Sequence, residues 1–148
     1  MPPLKKRILA LDFGLKRIGL AISDENQKIA LPIKTLEVSK NPVQTLLVLI
    51  NFLKEKDYLP QLETIVLGHP LLLSGQKGQM AELVENFQKK LAQQLELPVV
   101  LWDERLSSAQ AEKMLLKDYS RKQRSQIVDP IAAAIILQNY LDRKNFAF

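Results

Sequence analysis

The stretch Arg7–Asp24, RILALDFGLKRIGLAISD, decides how this chain folds. Two apolar runs, Ile8–Leu11 and Ile18–Ile22, are joined by Asp12-Phe13-Gly14-Leu15-Lys16-Arg17. Short β-rich runs separated by a few residues that include a glycine read as adjacent antiparallel strands. Asp12 is the residue that needs a reason. A carboxylate at the end of a nearly all-apolar strand either enters a core, at a cost, or faces a site. With Gly14, Lys16 and Arg17 beside it, the hairpin suits a metal ion or a phosphate. The competing reading is plain turn chemistry, in which Asp12 caps the turn and Gly14 supplies a positive φ.

Beyond the hairpin, Lys28–Val38 alternates loosely and contains Pro32, which reads as a third strand at an edge or with a bulge. Asn41 and Pro42 are an N-cap and a first helical residue for a helix to Lys56, with Val43, Leu46, Leu47, Ile50 and Leu53 at helical spacing. Thr64–Leu67 is a strand that stops at Gly68-His69-Pro70. A helix with the stripe Met80, Leu83, Val84, Phe87, Leu91 and Leu95 follows, and then a strand over Pro98–Trp102. Strand, helix and strand at this spacing imply a right-handed parallel crossover. Ser107 and Gln110 form a capping box for a further helix. Lys117–Gln126 is basic, lacks a period and reads as a loop. Asp129 and Pro130 are the N-cap and first residue of a last helix, to Asp142. The expected fold is α/β, a single domain over 1–148. Its mixed five-stranded sheet, with the first three strands antiparallel, is flanked by helices.

Composition narrows the function. The 148 residues are 47% apolar and 25% charged, which fits one soluble globular domain. The absence of cysteine excludes a disulfide framework and a thiolate metal site. The start, MPPLKKR, runs into a strand without the apolar segment of a secretory signal, so a cytoplasmic location is expected. The longest apolar stretch, Val43–Leu53, is interrupted and too short to span a bilayer, so no membrane is expected. Net charge is +5, with Lys117, Arg121, Lys122 and Arg124 clustered late, which fits an anionic partner as well as a merely solvated face.

Three acidic positions can meet in this topology: Asp12 after the first strand, Asp103 and Glu104 after the last strand, and Asp129 at the last helix. In open α/β sheets, sites form beyond the carboxyl ends of the strands. Carboxylates are hard ligands that suit Mg²⁺ or Mn²⁺. Two such ions about 4 Å apart activate a water and stabilise the leaving oxygen of a phosphodiester. Each acid also has a bland reading: Asp129 as a cap, Asp103 as a partner of Arg105 or a turn cap. His69, the only histidine, reads as structural, and Trp102 as core or rim.

The motifs carry a resemblance. Asp12-Phe13-Gly14-Leu15-Lys16-Arg17-Ile18-Gly19, the Gly68–Gly75 loop, Asp103-Glu104-Arg105-Leu106-Ser107 and the Asp129–Leu141 helix occur in the order seen in the YqgF (RuvX) family. That family is described both as Holliday junction resolvases and as pre-16S rRNA nucleases, within the RNase H-like superfamily. The resemblance implies an RNase H-like fold and a metal-dependent nuclease site of Asp12, Glu104 and Asp129, with Asp103 the alternative central ligand. It further implies that Lys16, Arg17 and Arg105 contact the nucleic-acid backbone and that Arg121, Lys122 and Arg124 grip flanking phosphates. The expected partner is structured RNA. A branched DNA substrate would instead require a homodimer to cut two strands, and a chain that keeps the fold without turnover would be a non-catalytic RNA or ribosome-assembly binding module. His69 and Pro130 are small departures from the family pattern.

Overall fold

The computed structural model describes residues 6–70, 74–103 and 120–146, without the side chains of 121–128. Its elements are β1 (Arg7–Phe13), β2 (Arg17–Ser23), β3 (Ala30–Glu37), α1 (Pro42–Glu55), β4 (Leu62–His69), α2 (Gln79–Leu95), β5 (Val99–Asp103) and α3 (Arg121–Asn145). The sheet order is β3-β2-β1-β4-β5. β1 and β2 pair antiparallel, as do β2 and β3, while β1, β4 and β5 are parallel neighbours. The mixed five-stranded sheet expected from the sequence is therefore the one observed.

Side chains alternate across a strand, so each strand feeds two cores. On one face Leu9, Leu11, Leu20 and Leu67 pack with Leu49 and Leu53 of α1 and with Val84 and Leu91 of α2. On the other, Ile8, Ala10, Ala21 and Val66 pack with Ala133, Ala134, Ile136 and Leu137 of α3. Each fully buried leucine or isoleucine is worth roughly 1.5–3 kcal/mol, so both faces contribute strongly. The alanines on the second face have a further effect. They leave α3 free to lie close against the strands.

That helix is tied down at both ends. Toward its C-terminus, Gln138 Oε1 accepts from Ala30 N at 3.0 Å and Gln138 Nε2 donates to the Lys28 carbonyl at 2.9 Å. Asn145 Nδ2 donates to the Gln27 carbonyl at 2.9 Å. Nearer its start, the backbone carbonyl of Asp129 lies directly over Gly19, where a Cβ would overlap it and would come within 3.0 Å of the Asp129 Cβ. Gly19 is thus required by close approach, not by its own backbone angles.

Several expectations are corrected. Asp129 does not open the last helix, because α3 begins at Arg121 and holds Pro130 in its interior. Proline favours a first-turn position because its missing N–H costs nothing there, but packing against β2 overrides that preference here. The loop expected over Lys117–Gln126 is helical from Arg121 onward, while 117–119 lie outside the described residues. The Ser107 helix also lies outside them. His69 is the last residue of β4 and not part of a loop. In α1, Asn41 caps as expected, accepting from Val43 N at 3.0 Å. Val43 and Leu47, however, are exposed, and Thr45, Leu49 and Phe52 are buried in their place. Leu83 of α2 is exposed as well. Gly14 does not adopt a positive φ. Its N–H donates to the Arg17 carbonyl at 2.8 Å, and a Cβ there would come within 2.9 Å of that oxygen.

Gly19→Ala should cost roughly 1–3 kcal/mol, because the added methyl meets backbone and not a flexible side-chain end. Thermal unfolding followed by circular dichroism checks this, and an unchanged midpoint would mean that α3 is not held by this contact.

Candidate functional site

Asp12 sits at the carboxyl end of β1, half-buried. Ile8 and Ala10 face α3, so by alternation Asp12 does too. Its antiparallel partner across the ladder is Gly19, and directly opposed residues project to the same side. The Gly19 position is covered by Asp129. Register and close packing therefore bring Asp12 and Asp129, far apart in sequence, onto one patch of the α3 face at the carboxyl edge of the sheet. This is where parallel sheets carry their sites.

Arg17, the first residue of β2, closes the patch: its Nε donates to Asp129 Oδ2 at 2.9 Å. The arginine side chain is 61% exposed and the aspartate 27%, so solvent screens the pair and its worth to stability is about 0–1 kcal/mol. Its value is positional. A guanidinium held on Asp129 at this edge of the sheet stands where an incoming anion would meet it. Lys16 is exposed in the adjoining turn, whose shape is fixed by Val38 N donating to the Lys16 carbonyl at 2.8 Å.

Asp103 lies elsewhere. Val99 and Leu101 belong to the α1–α2 face and Trp102 packs on the α3 face, so Asp103 projects with Val99 and Leu101, away from Asp12. Its ladder partner is His69. His69 Nε2 is 3.4 Å from Glu85 Oε2 of α2, and Lys77 Nζ donates to Glu85 Oε1 at 2.7 Å. The lysine holds the Glu85 carboxyl below its ordinary value, with His69 adding in the same direction. That contact ties the end of β4 to α2. Trp102 meets Tyr140 edge-on at 5.5 Å, and its buried indole N–H has no acceptor among the described residues.

Of the remaining sequence candidates, Glu104 and Arg105 lie outside the described residues. Arg121, Lys122 and Arg124 fall in the first turns of α3, and their side chains are not described. Among the described residues no group of three or more His, Asp or Glu could hold a metal, so the structure supplies two of the expected acids and leaves the third untested.

Comparison with known proteins places the chain in a family. A family model described as "RuvX: Holliday junction resolvase" matches residues 6–143. The chain belongs to this family. A relative from Protochlamydia amoebophila, named "Putative pre-16S rRNA nuclease", is 43% identical over 145 residues, 96% of this chain and 97% of the relative. One of the same name from Geobacillus sp. is 42% identical over 139 residues, 93% and 99% of the two chains. Among solved structures, "T. thermophilus RuvC in complex with Holliday junction substrate" matches with a TM-score of 0.56 at 12% identity, covering 92% of this chain and 94% of that one. That likeness establishes the RNase H-like fold. RuvX is a nuclease family, and this chain is an enzyme of that class.

Sequence reasoning valued Arg17 for substrate contact and did not foresee its bond to Asp129. The signal was present in the first motif, where a basic residue stands two positions before the glycine that the helix covers. Arg17→Gln should move the unfolding midpoint by no more than about 4 °C, given a pair worth at most about 1 kcal/mol in a domain of this size. Differential scanning calorimetry checks this, and a larger drop would mean that the ion pair is structural.

Proposed function

We propose that this RuvX-family chain is a divalent-metal-dependent nuclease that hydrolyses phosphodiester bonds in structured RNA, at the 5′ end of pre-16S ribosomal RNA. The observation that carries the reading is the meeting of Asp12 and Asp129 on one patch beside Gly19. The name of the relatives at 42–43% identity supports the RNA substrate.

The donor set fits Mg²⁺ or Mn²⁺: two carboxylates at the patch, no sulfur, and a third acid, Glu104, next in sequence after the end of β5. In this proposal Asp12, Glu104 and Asp129 are the metal ligands. Glu104 is preferred to Asp103 because Asp103 projects toward the opposite face of the sheet. The bound ions supply an activated water and stabilise the leaving oxygen. The chain's own cations do the rest. Lys16, Arg17 and Arg105 hold the scissile backbone, Arg17 exchanging its Asp129 contact for a phosphate. Arg121, Lys122 and Arg124 bind flanking phosphates. No helix of the described residues is long and apolar enough to cross a membrane, and the cytoplasm, where ribosomal precursors occur, is the proposed place of action.

A second reading, resolution of branched DNA, is favoured by the description of the family model. It requires a homodimer, so gel filtration and cleavage of a four-way DNA junction separate it from the RNA reading.

Asp12→Asn should abolish cleavage of a pre-16S transcript in Mn²⁺ or Mg²⁺ while the unfolding midpoint stays near that of the wild type. EDTA should have the same effect on the wild-type enzyme. Undiminished cleavage by the variant would remove the proposal.

A further inference from the structure

The hairpin turn that carries Lys16 and Arg17 has a second side. There a cleft of about 280 Å³ opens between the turn, the segment leading into α1, and α2, with Phe13, Leu15, Pro42, Leu83 and Phe87 among its lining residues. The ring of Phe13 lies 4.8 Å from that of Phe87 and forms the inner end. Leu15 is 70% exposed and Leu83 47%, so the cleft presents apolar surface to water at its mouth. Exposed apolar groups gathered at one place mark a binding surface more often than scattered ones do. Two lysines, Lys40 and Lys90, stand at its rim with Asn86.

The cleft is continuous with the candidate site. A shallow trough lined by Lys16, Arg17, Glu37 and Lys40 shares Leu15, Val38, Ser39 and Lys40 with it. At the trough's other end Arg17 reaches Asp129. Four cations against one acid therefore line a path from the paired carboxylates over the turn to an aromatic and aliphatic recess. That combination suits a strand whose backbone is anionic and whose bases are flat and apolar. The volume lies just under the roughly 300 Å³ at which sites for drug-sized ligands begin, room for a single base and not for an extended ligand.

We propose that this cleft is a binding subsite for one unpaired nucleotide: its base enters between Leu15 and Leu83 toward Phe13, while Lys40 and Lys90 hold its flanking phosphates. The subsite rests on the nuclease reading for its biological substrate. It selects RNA with a single-stranded segment beside the cleavage position. Ser39, Thr45 and Asn86 offer hydrogen-bonding groups beside the apolar mouth, and the apolar contact itself accepts any base.

The test is fluorescence anisotropy with the full chain in EDTA, so that no cleavage occurs and the result does not depend on the catalytic acids. The probes are a labelled oligouridine, the same oligomer with abasic positions, and a blunt RNA duplex of equal length. The double variant Leu15→Ser, Leu83→Ser removes the apolar mouth from exposed positions without changing charge. It should bind oligouridine about tenfold more weakly, the scale of losing the apolar contact of two leucine side chains with one base, with unchanged binding of the abasic oligomer and the duplex. Wild-type affinity for oligouridine in the variant, or an equal loss on the abasic probe, would overturn the proposal and leave the cleft to an apolar peptide segment. Failure of Asp12→Asn to lose cleavage would strike the nuclease reading and leave this binding result intact.

Discussion

The whole arrangement depends on how closely α3 approaches β2. At Gly19 the backbone of the helix replaces a side chain, and no residue with a Cβ fits beneath the Asp129 carbonyl. Ala10 and Ala21 continue the same thin layer along the sheet, with Ala133 and Ala134 on the helix side. Larger residues on this face would lift the helix and carry Asp129 away from Asp12. Core packing and site geometry are one constraint here. The small residues give up apolar area that a leucine would bury, and in exchange two carboxylates meet.

The two faces of the sheet divide the labour. The α1–α2 face holds the bulky aliphatic core and ends, at the carboxyl edge, in the His69, Glu85 and Lys77 network beside Asp103. The α3 face is thin and ends in Asp12, Asp129 and Arg17. A shift of one residue in strand register would exchange these sets, since every side chain would change sides. The register of β1 against β2 therefore decides which face Asp12 takes, and not only stability.

Much of this was legible in the sequence, for identifiable reasons. The hairpin declared itself through two apolar runs around a glycine-containing turn, and Asn41-Pro42 stated the start of α1 through capping chemistry. Local signals fix local structure. Asp12 stood out as a candidate because a carboxylate at the end of an apolar strand has few inexpensive explanations. Asp129 was found as a candidate but misplaced: Asp-Pro is a strong local cap signal, and contacts with β2, remote in sequence, keep the helix running through it. The exposure of Val43, Leu47 and Leu83 was not legible either, because periodicity marks an apolar stripe without saying how much of it a neighbour covers. Two of those three lie away from the cleft, and nothing in the structure explains their exposure.

The anchoring of α3 at Asp129 and again at Gln138 has a consequence for the length of the chain. Gln138 follows Asp129 by nine positions, two and a half helical turns, or about 13.5 Å of rise. Adding or deleting one residue between them would rotate one anchor by about 100° relative to the other, so that either Gln138 leaves the β3 backbone or Asp129 turns away from Arg17. The segment behaves as a ruler of fixed graduation. In this chain an insertion has to be absorbed outside it, in the surface turns.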